Sequence, residues 1–482
     1  MTRFSKSYGI TASEKYLAEQ CERSFLSLWS FPNVFREPGK ELCDVLIVFR
    51  EHIIIFSDKS CSFPNTGNVE LDWSRWFKRA VERSAQQVFG AERWLKRYPE
   101  RIFLDPACRE PFPLPLPDSS RARIHRVVVA LNASERCKQH FNNSGSGSLL
   151  IRPDIIGNRH QSVPFTVGQI DPEKGYVHVF DDVSLTLVLN ELDTITDFTD
   201  YLVSKETFIK SGRLAGSAGE EELLAHYVTT LNSAGEHGFA FDQNTDAVWF
   251  LEGSWEGISG DPRYAAKKKA DQNSYAWDAL IETFNRNLRA GTLAADNDVP
   301  LENHERGLRM MAGEPRLSRR TLMAALFDLL TTAPKNKTAT RLVLSKQYPE
   351  RAFQFIVDPK PDHLSYEQYR ERRSALLAAY CHVAKLRAPQ LRHIIGIATE
   401  PLGARGRSED LVYLNAEKWT EENEAEARQL QEATGILVNP RERPFHDDEY
   451  PEVMPMRQPQ AGPGNRKQRR AAVARKRKIE KS

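Results

Sequence analysis

The segment from Glu41 to Lys59, ELCDVLIVFREHIIIFSDK, reads as two apolar strands around a short polar turn, with Asp44 on the first strand and Lys59 ending the second. Charge in or at the rim of an apolar sheet is expensive unless it holds a metal or takes part in chemistry. Leu42 to Phe49 forms one strand and Ile53 to Lys59 the other. A two-residue turn at Arg50-Glu51 pairs Asp44 with Ser57, and a turn at Glu51-His52 pairs Asp44 with Lys59. Side chains alternate faces along a strand and cross-strand partners share a face. Either register therefore places Asp44, Ser57 and Lys59 together and sends Asp58 and Glu41 to the opposite side. A carboxylate is a hard oxygen ligand suited to a divalent cation of the magnesium type. Such a cation polarises a phosphodiester and lowers the pKa of an attacking water, while a nearby lysine stabilises the developing charge or orients the nucleophile.

The flanking segments supply elements that can position these groups. Thr11 with Glu14 three residues on forms a capping box for a helix over about 12–29, in which Leu17, Cys21, Ser24 and Leu28 make one stripe and Glu22 lies at its edge. A second helix runs from about Leu71 to Leu95, with Trp73, Trp76, Phe77, Ala80, Val81 and Val88 on its apolar face and Gln86 and Gln87 on other faces. A strand follows over Ile124 to Leu131, then strands near 149–151, 165–170 and 176–180, and an amphipathic helix from Leu185 to about Lys210. This alternation predicts an α/β fold with a mixed sheet flanked by helices.

The helix, hairpin and following helix resemble the core of the PD-(D/E)xK, or restriction-endonuclease-like, nuclease superfamily. The matching residues are Glu-Leu-Cys-Asp44 on the first strand and Phe-Ser-Asp-Lys59 at the end of the second, within about residues 12–131. The resemblance implies Mg²⁺-dependent (or Mn²⁺-dependent) cleavage of DNA or RNA, with a role in restriction or defence. Asp44 would be a metal ligand, Lys59 would position the attacking water, Glu22 would be the acid from the first helix, and Gln87 a polar residue of the later helix facing the site. One departure stands out: where that family has an acid two residues before the lysine, this chain has Ser57. Serine is a weak ligand, so the missing charge must come from another carboxylate, Glu22 ahead of Glu41, or the site has lost its metal. The alternative reading is a non-catalytic nucleic-acid-binding or scaffolding protein on a degenerate nuclease fold.

The other motifs point to no competing chemistry. Twelve histidines are dispersed without metal-ligand spacing, and His125 and His178 fall in strand patterns as packed or surface residues. The loop 142–148 lacks the spacing of a nucleophile elbow, and Trp249 to Gly260 matches neither a phosphate loop nor a dinucleotide loop. That aromatic segment, followed by Lys267-Lys-Lys269, reads as a loop tucked under its own tryptophans. Asp181, Asp182, Glu191 and Asp193 read as helix caps or solvated acids. Six scattered cysteines without a CxxC pair suit a reducing, cytoplasmic setting, and no apolar run is long enough to span a membrane.

The chain divides by composition into 1–213, the nuclease-like domain; 220–332, mainly helical; 338–440, mixed α/β; and 455–482, a basic tail. The net charge of +2 conceals an asymmetry. Residues 464–482 carry +8 through Arg466, Lys467, Arg469, Arg470, Arg475, Lys476, Arg477, Lys478 and Lys481 against Glu480, which leaves −6 on the body. Such a tail predicts sequence-independent contact with nucleic acid phosphates, or a solvated terminus that aids solubility.

Overall fold

The computed structural model describes residues 6–232, 235–242, 245–290, 301–404, 408–444 and 447–451; the basic tail lies outside them. The strands, in chain order, are β1 (Ser30–Glu37), β2 (Lys40–Phe49), β3 (His52–Ser60), β4 (Arg123–Leu131), β5 (Leu150–Ile156), β6 (Thr166–Gln169), β7 (His178–Phe180), β8 (Leu214–Ser217), β9 (Val248–Phe250), β10 (Ala339–Leu344), β11 (Arg351–Val357), β12 (His393–Thr399) and β13 (Glu409–Asn415). The helices are α1 (Ala12–Phe25), α2 (Val69–Phe77), α3 (Arg83–Arg97), α4 (Ser134–His140), α5 (Ser184–Glu191), α6 (Ile195–Lys210), α7 (Glu220–Thr229), α8 (Ser254–Ser259), α9 (Pro262–Asp271), α10 (Tyr275–Ala290), α11 (Leu301–Ala312), α12 (Arg316–Thr332), α13 (Tyr366–Arg387) and α14 (Glu421–Thr434). The fold is mixed α/β, and none of its described helices is long and apolar enough to cross a membrane.

The first sheet has the order β1-β2-β3-β4-β7, antiparallel through β3 and parallel beyond it. The hairpin adopts the two-residue turn at Arg50-Glu51, with Phe49 opposite His52 and Val45 opposite Phe56. The helix expected over about 12–29 ends at Phe25, and β1 begins at Ser30, where the fully buried Phe31 and Val34 hold that segment against β2. Helix α1 packs on β1, β2 and β3, and its N-terminus carries the expected capping box of Thr11 and Glu14. Helix α3 packs on β2, β3 and β4, and a π-helical turn at Lys78–Glu82 joins it to α2. Extra-residue turns of this kind recur beside functional sites.

One core continues through the compositional boundaries. Strand β8, just past Arg213, pairs with β5 and β9, so the second sheet (β6-β5-β8-β9) runs across that point. The third sheet (β10-β11-β12-β13) turns Phe353, Phe355, Ile395 and Ile397 toward Trp277 of α10, in the same core as the first sheet. The alternate residues Ala352, Ile356, Ile394 and Ala398 face α13, as a two-residue strand period requires. Gly396 allows that close approach, since a Cβ there would lie 2.7 Å from Cys381 Sγ.

Buried ion pairs tie the middle helices together. Arg316 of α12 meets Asp193 at 2.7 Å, Arg319 meets Asp278 at 2.6 Å, and Arg351 of β11 meets Glu314 at 2.7 Å. Lys205 pairs with Glu220, and Lys267 lies 3.3 Å from both Glu191 and Asp271. Glu191, Asp193 and Lys267 are thus internal struts rather than the solvated or surface charges their helix positions suggest; the bases that neutralise them come from helices remote in sequence.

Three histidines also lie inside. His52 Nδ1 and His125 Nε2 are 2.8 Å apart with stacked rings, and His178 contacts Glu206 at 3.2 Å. Burial pushes His52 down to about 4 and, with His52 and His178 as neighbours, His125 down to about 3. A histidine held neutral in the fold binds its proton first in the unfolded chain, so stability is lost as pH falls below the usual value of about 6.5. Denaturant titrations should show that loss between pH of about 6.5 and 4, and His125→Leu should flatten it. An equally steep fall in the variant would exclude this pair as its source.

Candidate functional site

The site forms where two strands part. Strands β2 and β3 pair no further than Val45 opposite Phe56. Beyond that point β3 continues beside β4 to Ser60, while β2 follows β1 through an irregular register from Cys43 to Glu41. The Asp58 N–H therefore lacks a β2 carbonyl, and the Asp44 carboxylate accepts it at 2.6 Å. Asp44 thus sits in the opening between the strands, within reach of groups on both faces of the sheet.

On the α3 side, Ser57 Oγ donates to Gln87 Oε1 at 3.2 Å and also acts on Asp44. Gln87 of α3 thus reaches β3 at Ser57. On the α1 side, Asp58 lies near Ser13 and Glu14. Asn33, at φ +48 in β1, ties this side together, donating through Nδ2 to Glu41 Oε1 at 2.7 Å and to Glu14 Oε2 at 3.2 Å. Simple alternation separates Asp58 and Glu41 from Asp44. The structure keeps Asp58 and Glu41 on the α1 side, opposite Ser57, yet where the strands part each of them lies within electrostatic reach of Asp44.

The first-helix acid is also reassigned. Glu14, not Glu22, is the α1 carboxylate that acts on Glu41, Asp44 and Asp58. Glu22 is eight residues farther along the same helix, about 12 Å at 1.5 Å per residue. The capping box concealed Glu14 in the sequence: its carboxylate accepts from the Ile10 and Thr11 N–H groups as a cap should, and faces the cluster as well.

Four carboxylates and one ammonium then share a largely buried corner. Burial pushes Glu41 up to about 7 against the pull of Asn33, with Asp44 and Glu14 adding repulsion. Burial likewise pushes Asp58 up to about 6 and raises Asp44, where Lys59 and the Asp58 N–H oppose it. Burial also acts on Glu14, but its hydrogen bonds from Ile10, Asn33 and Thr11 prevail and its carboxyl is lowered. Asp58 is 4% exposed, and the Ser13 hydroxyl is the nearby donor for its oxygens, short of a well-formed hydrogen bond. Lys59 is half-buried and makes no ion pair within 4 Å among the described residues, so its ammonium acts on Asp44 without being consumed by it. Raised, buried carboxyls at Asp44 and Asp58, with Glu14 and Glu41 beside them, could hold a hard cation, and the Lys59 ammonium lies within electrostatic reach of Asp44.

Neither a family model, a curated protein nor a solved structure matches the chain. Among the described residues, the acids whose ligand atoms already lie within 4.8 Å of one another are Glu221, Glu222 and Glu252, away from the hairpin. The hairpin acids are more loosely spread than that trio.

Asp58→Asn should report the cost of this arrangement. A carboxyl raised in the fold makes stability fall as pH rises from the unfolded value of about 4 through the folded value of about 6. The variant should be more stable than the parent at pH of about 7.5, by roughly 1–2 kcal/mol, and equal to it below about pH 4. A variant destabilised at both pH values would mean that Asp58 is satisfied as a carboxylate.

Proposed function

We propose that the chain is a metal-dependent nuclease that hydrolyses phosphodiester bonds in DNA or RNA at the parted β2–β3 strands. The observation that carries this reading is the convergence of Asp44, Asp58, Glu14 and Glu41 with an unpaired Lys59 in one buried corner. Asp58 would take the chemical role that Ser57 cannot, acting on the opening from the α1 side where the strands part. Asp44 and Asp58 would hold Mg²⁺ or Mn²⁺, with Glu14 and Glu41 completing the charge. The cation would polarise the phosphate and lower the pKa of a bound water. Lys59 would stabilise the charge gained by the phosphorane-like transition state and orient the attacking oxygen. Ser57 and Gln87 fix the Asp44 side of the opening through their hydrogen bond and are positioning residues.

The basic segment 464–482 would add phosphate contacts without sequence preference. None of the six cysteines is paired, which supports a reducing, cytoplasmic setting. Restriction of foreign nucleic acid remains the biological role suggested by the family resemblance alone. The loose spacing of the hairpin acids favours one second reading, a nucleic-acid-binding protein without cleavage.

With Mg²⁺ or Mn²⁺ the purified protein should nick plasmid or degrade single strands. Asp44→Asn and Lys59→Met should each lower the rate about 10²-fold or more, while Glu22→Gln should leave it unchanged. Cleavage insensitive to both site changes would reject the assignment, and binding without cleavage would select the second reading. Deleting residues 464–482 should weaken polynucleotide binding and reduce the steepness of its salt dependence. An unchanged salt slope would limit the tail to a solubilising role.

A further inference from the structure

A second group of acids lies at the second sheet. Glu221 and Glu222 stand in the first turn of α7, and Glu252 follows β9, with one carboxylate oxygen from each within 4.8 Å of the others. Several buried acids elsewhere in this protein meet a base, as Glu220 meets Lys205, Glu314 meets Arg351 and Asp410 meets Arg373. Among the described residues, no lysine, arginine or histidine forms an ion pair with Glu221, Glu222 or Glu252. Three like charges at such spacing repel strongly in a low-dielectric corner, so the group needs either protons or a cation.

Two further observations separate these possibilities from ordinary helix capping. Glu222 is a cap: Oε1 accepts the Gly253 N–H at 2.9 Å, and Oε2 accepts the Ser254 and Trp255 N–H groups at 2.7 and 3.3 Å. Glu221 is not accounted for in this way. It is 3% exposed, its Oε1 accepts the Ser146 hydroxyl, and its buried Oε2 has no well-formed hydrogen bond, with the Ser148 hydroxyl and its own N–H as the neighbouring donors. A buried carboxylate oxygen without a well-formed hydrogen bond is costly and marks a place for a missing ligand. Glu252 is exposed, accepts the Ser146 N–H at 2.7 Å, and connects the group to solvent.

We propose that Glu221, Glu222 and Glu252 form a second site for a hard divalent cation, Ca²⁺, Mg²⁺ or Mn²⁺, independent of the parted strands of the first sheet. All donors are carboxylate oxygens, which match such ions and not the softer metals that prefer nitrogen and sulfur. The bound ion would join three segments: the 142–148 loop through Ser146, the start of α7, and the β9–α8 connection. Its role is then to brace the second sheet, whichever activity the first sheet supports.

Trp255, whose N–H contacts Glu222, offers a direct readout through sensitised Tb³⁺ luminescence. The experiment uses the full chain carrying Asp44→Asn, so that the first site does not contribute. Tb³⁺ should give a saturable signal that Ca²⁺ or Mg²⁺ displaces. Glu221→Gln and Glu252→Gln should each weaken binding at least about tenfold. Glu252 is exposed, so its variant is expected to keep its circular dichroism and metal-free melting temperature, which separates lost ligation from lost folding. No saturable signal in the Asp44→Asn chain, or equal affinity in both added variants, would overturn the proposal. Loss of nuclease activity alone bears only on the first site.

Discussion

Buried negative charge is the constraint around which this molecule is arranged. An isolated carboxylate in a protein interior must be paired, hydrogen-bonded or protonated. The middle helices follow that rule: Asp193, Asp278, Glu314 and Glu191 are each joined to an arginine or lysine from a different element. Asp181 follows it by another route, with its oxygens taken by the Leu149, Val183 and Ser184 N–H groups and two serine hydroxyls. The parted strands of the first sheet and the start of α7 do not follow it. There the acids outnumber the bases, carboxyl oxygens lack well-formed hydrogen bonds, and carboxyls are raised toward neutrality by burial and mutual repulsion. Stability lost at such places is tolerated where a ligand restores it.

The backbone explains why the first of these places exists. A fully paired β2–β3 hairpin would bury the Asp58 N–H in a ladder bond and keep Asp44 and Asp58 on opposite faces. Ending that ladder at Val45 and Phe56 frees the N–H, which Asp44 then binds, and opens a gap that α1 fills with Glu14 and Ser13. Asn33, left-handed in β1, serves both Glu14 and Glu41, and the β1–β2 register slips just beyond it, after Val34. Such a conformation is tolerated by asparagine more readily than by most residues. The gap is thus specified by irregularities in two adjacent strands, held in place by an apolar core that is otherwise regular.

Much of this was legible in the sequence, and the misses have physical causes. Of the two registers the sequence allows, the observed one is the turn at Arg50-Glu51 with Phe49 opposite His52, and Gln87 of the following helix reaches Ser57. What alternation cannot show is where a ladder stops: Asp58 and Glu41 lie on the α1 side, opposite Ser57, as it expects, but the parted strands leave both within electrostatic reach of Asp44. Glu14 is hidden in the sequence because a capping box explains it fully on local grounds; its second task depends on Asn33 of β1, distant along the chain. The internal pairing of Lys267 with Glu191 and Asp271 depends on contacts across helices, which periodicity within one helix does not encode. The same limit applies to the acids at α7: Glu221 and Glu222 look like favourable first-turn residues, and only the fold brings Glu252 beside them.

The central claim is that the acids at the parted strands retain protons near neutral pH that a cation displaces. Calorimetric titration of Mn²⁺ into the Glu221→Gln/Glu252→Gln chain, in buffers of different ionisation enthalpy, measures that exchange directly. With Glu41 at about 7 and Asp58 at about 6, binding at pH of about 6.5 should release roughly one proton, and binding above pH of about 8.5 almost none. Mn²⁺ that binds at the lower pH without releasing protons, or that does not bind at all, would contradict the account.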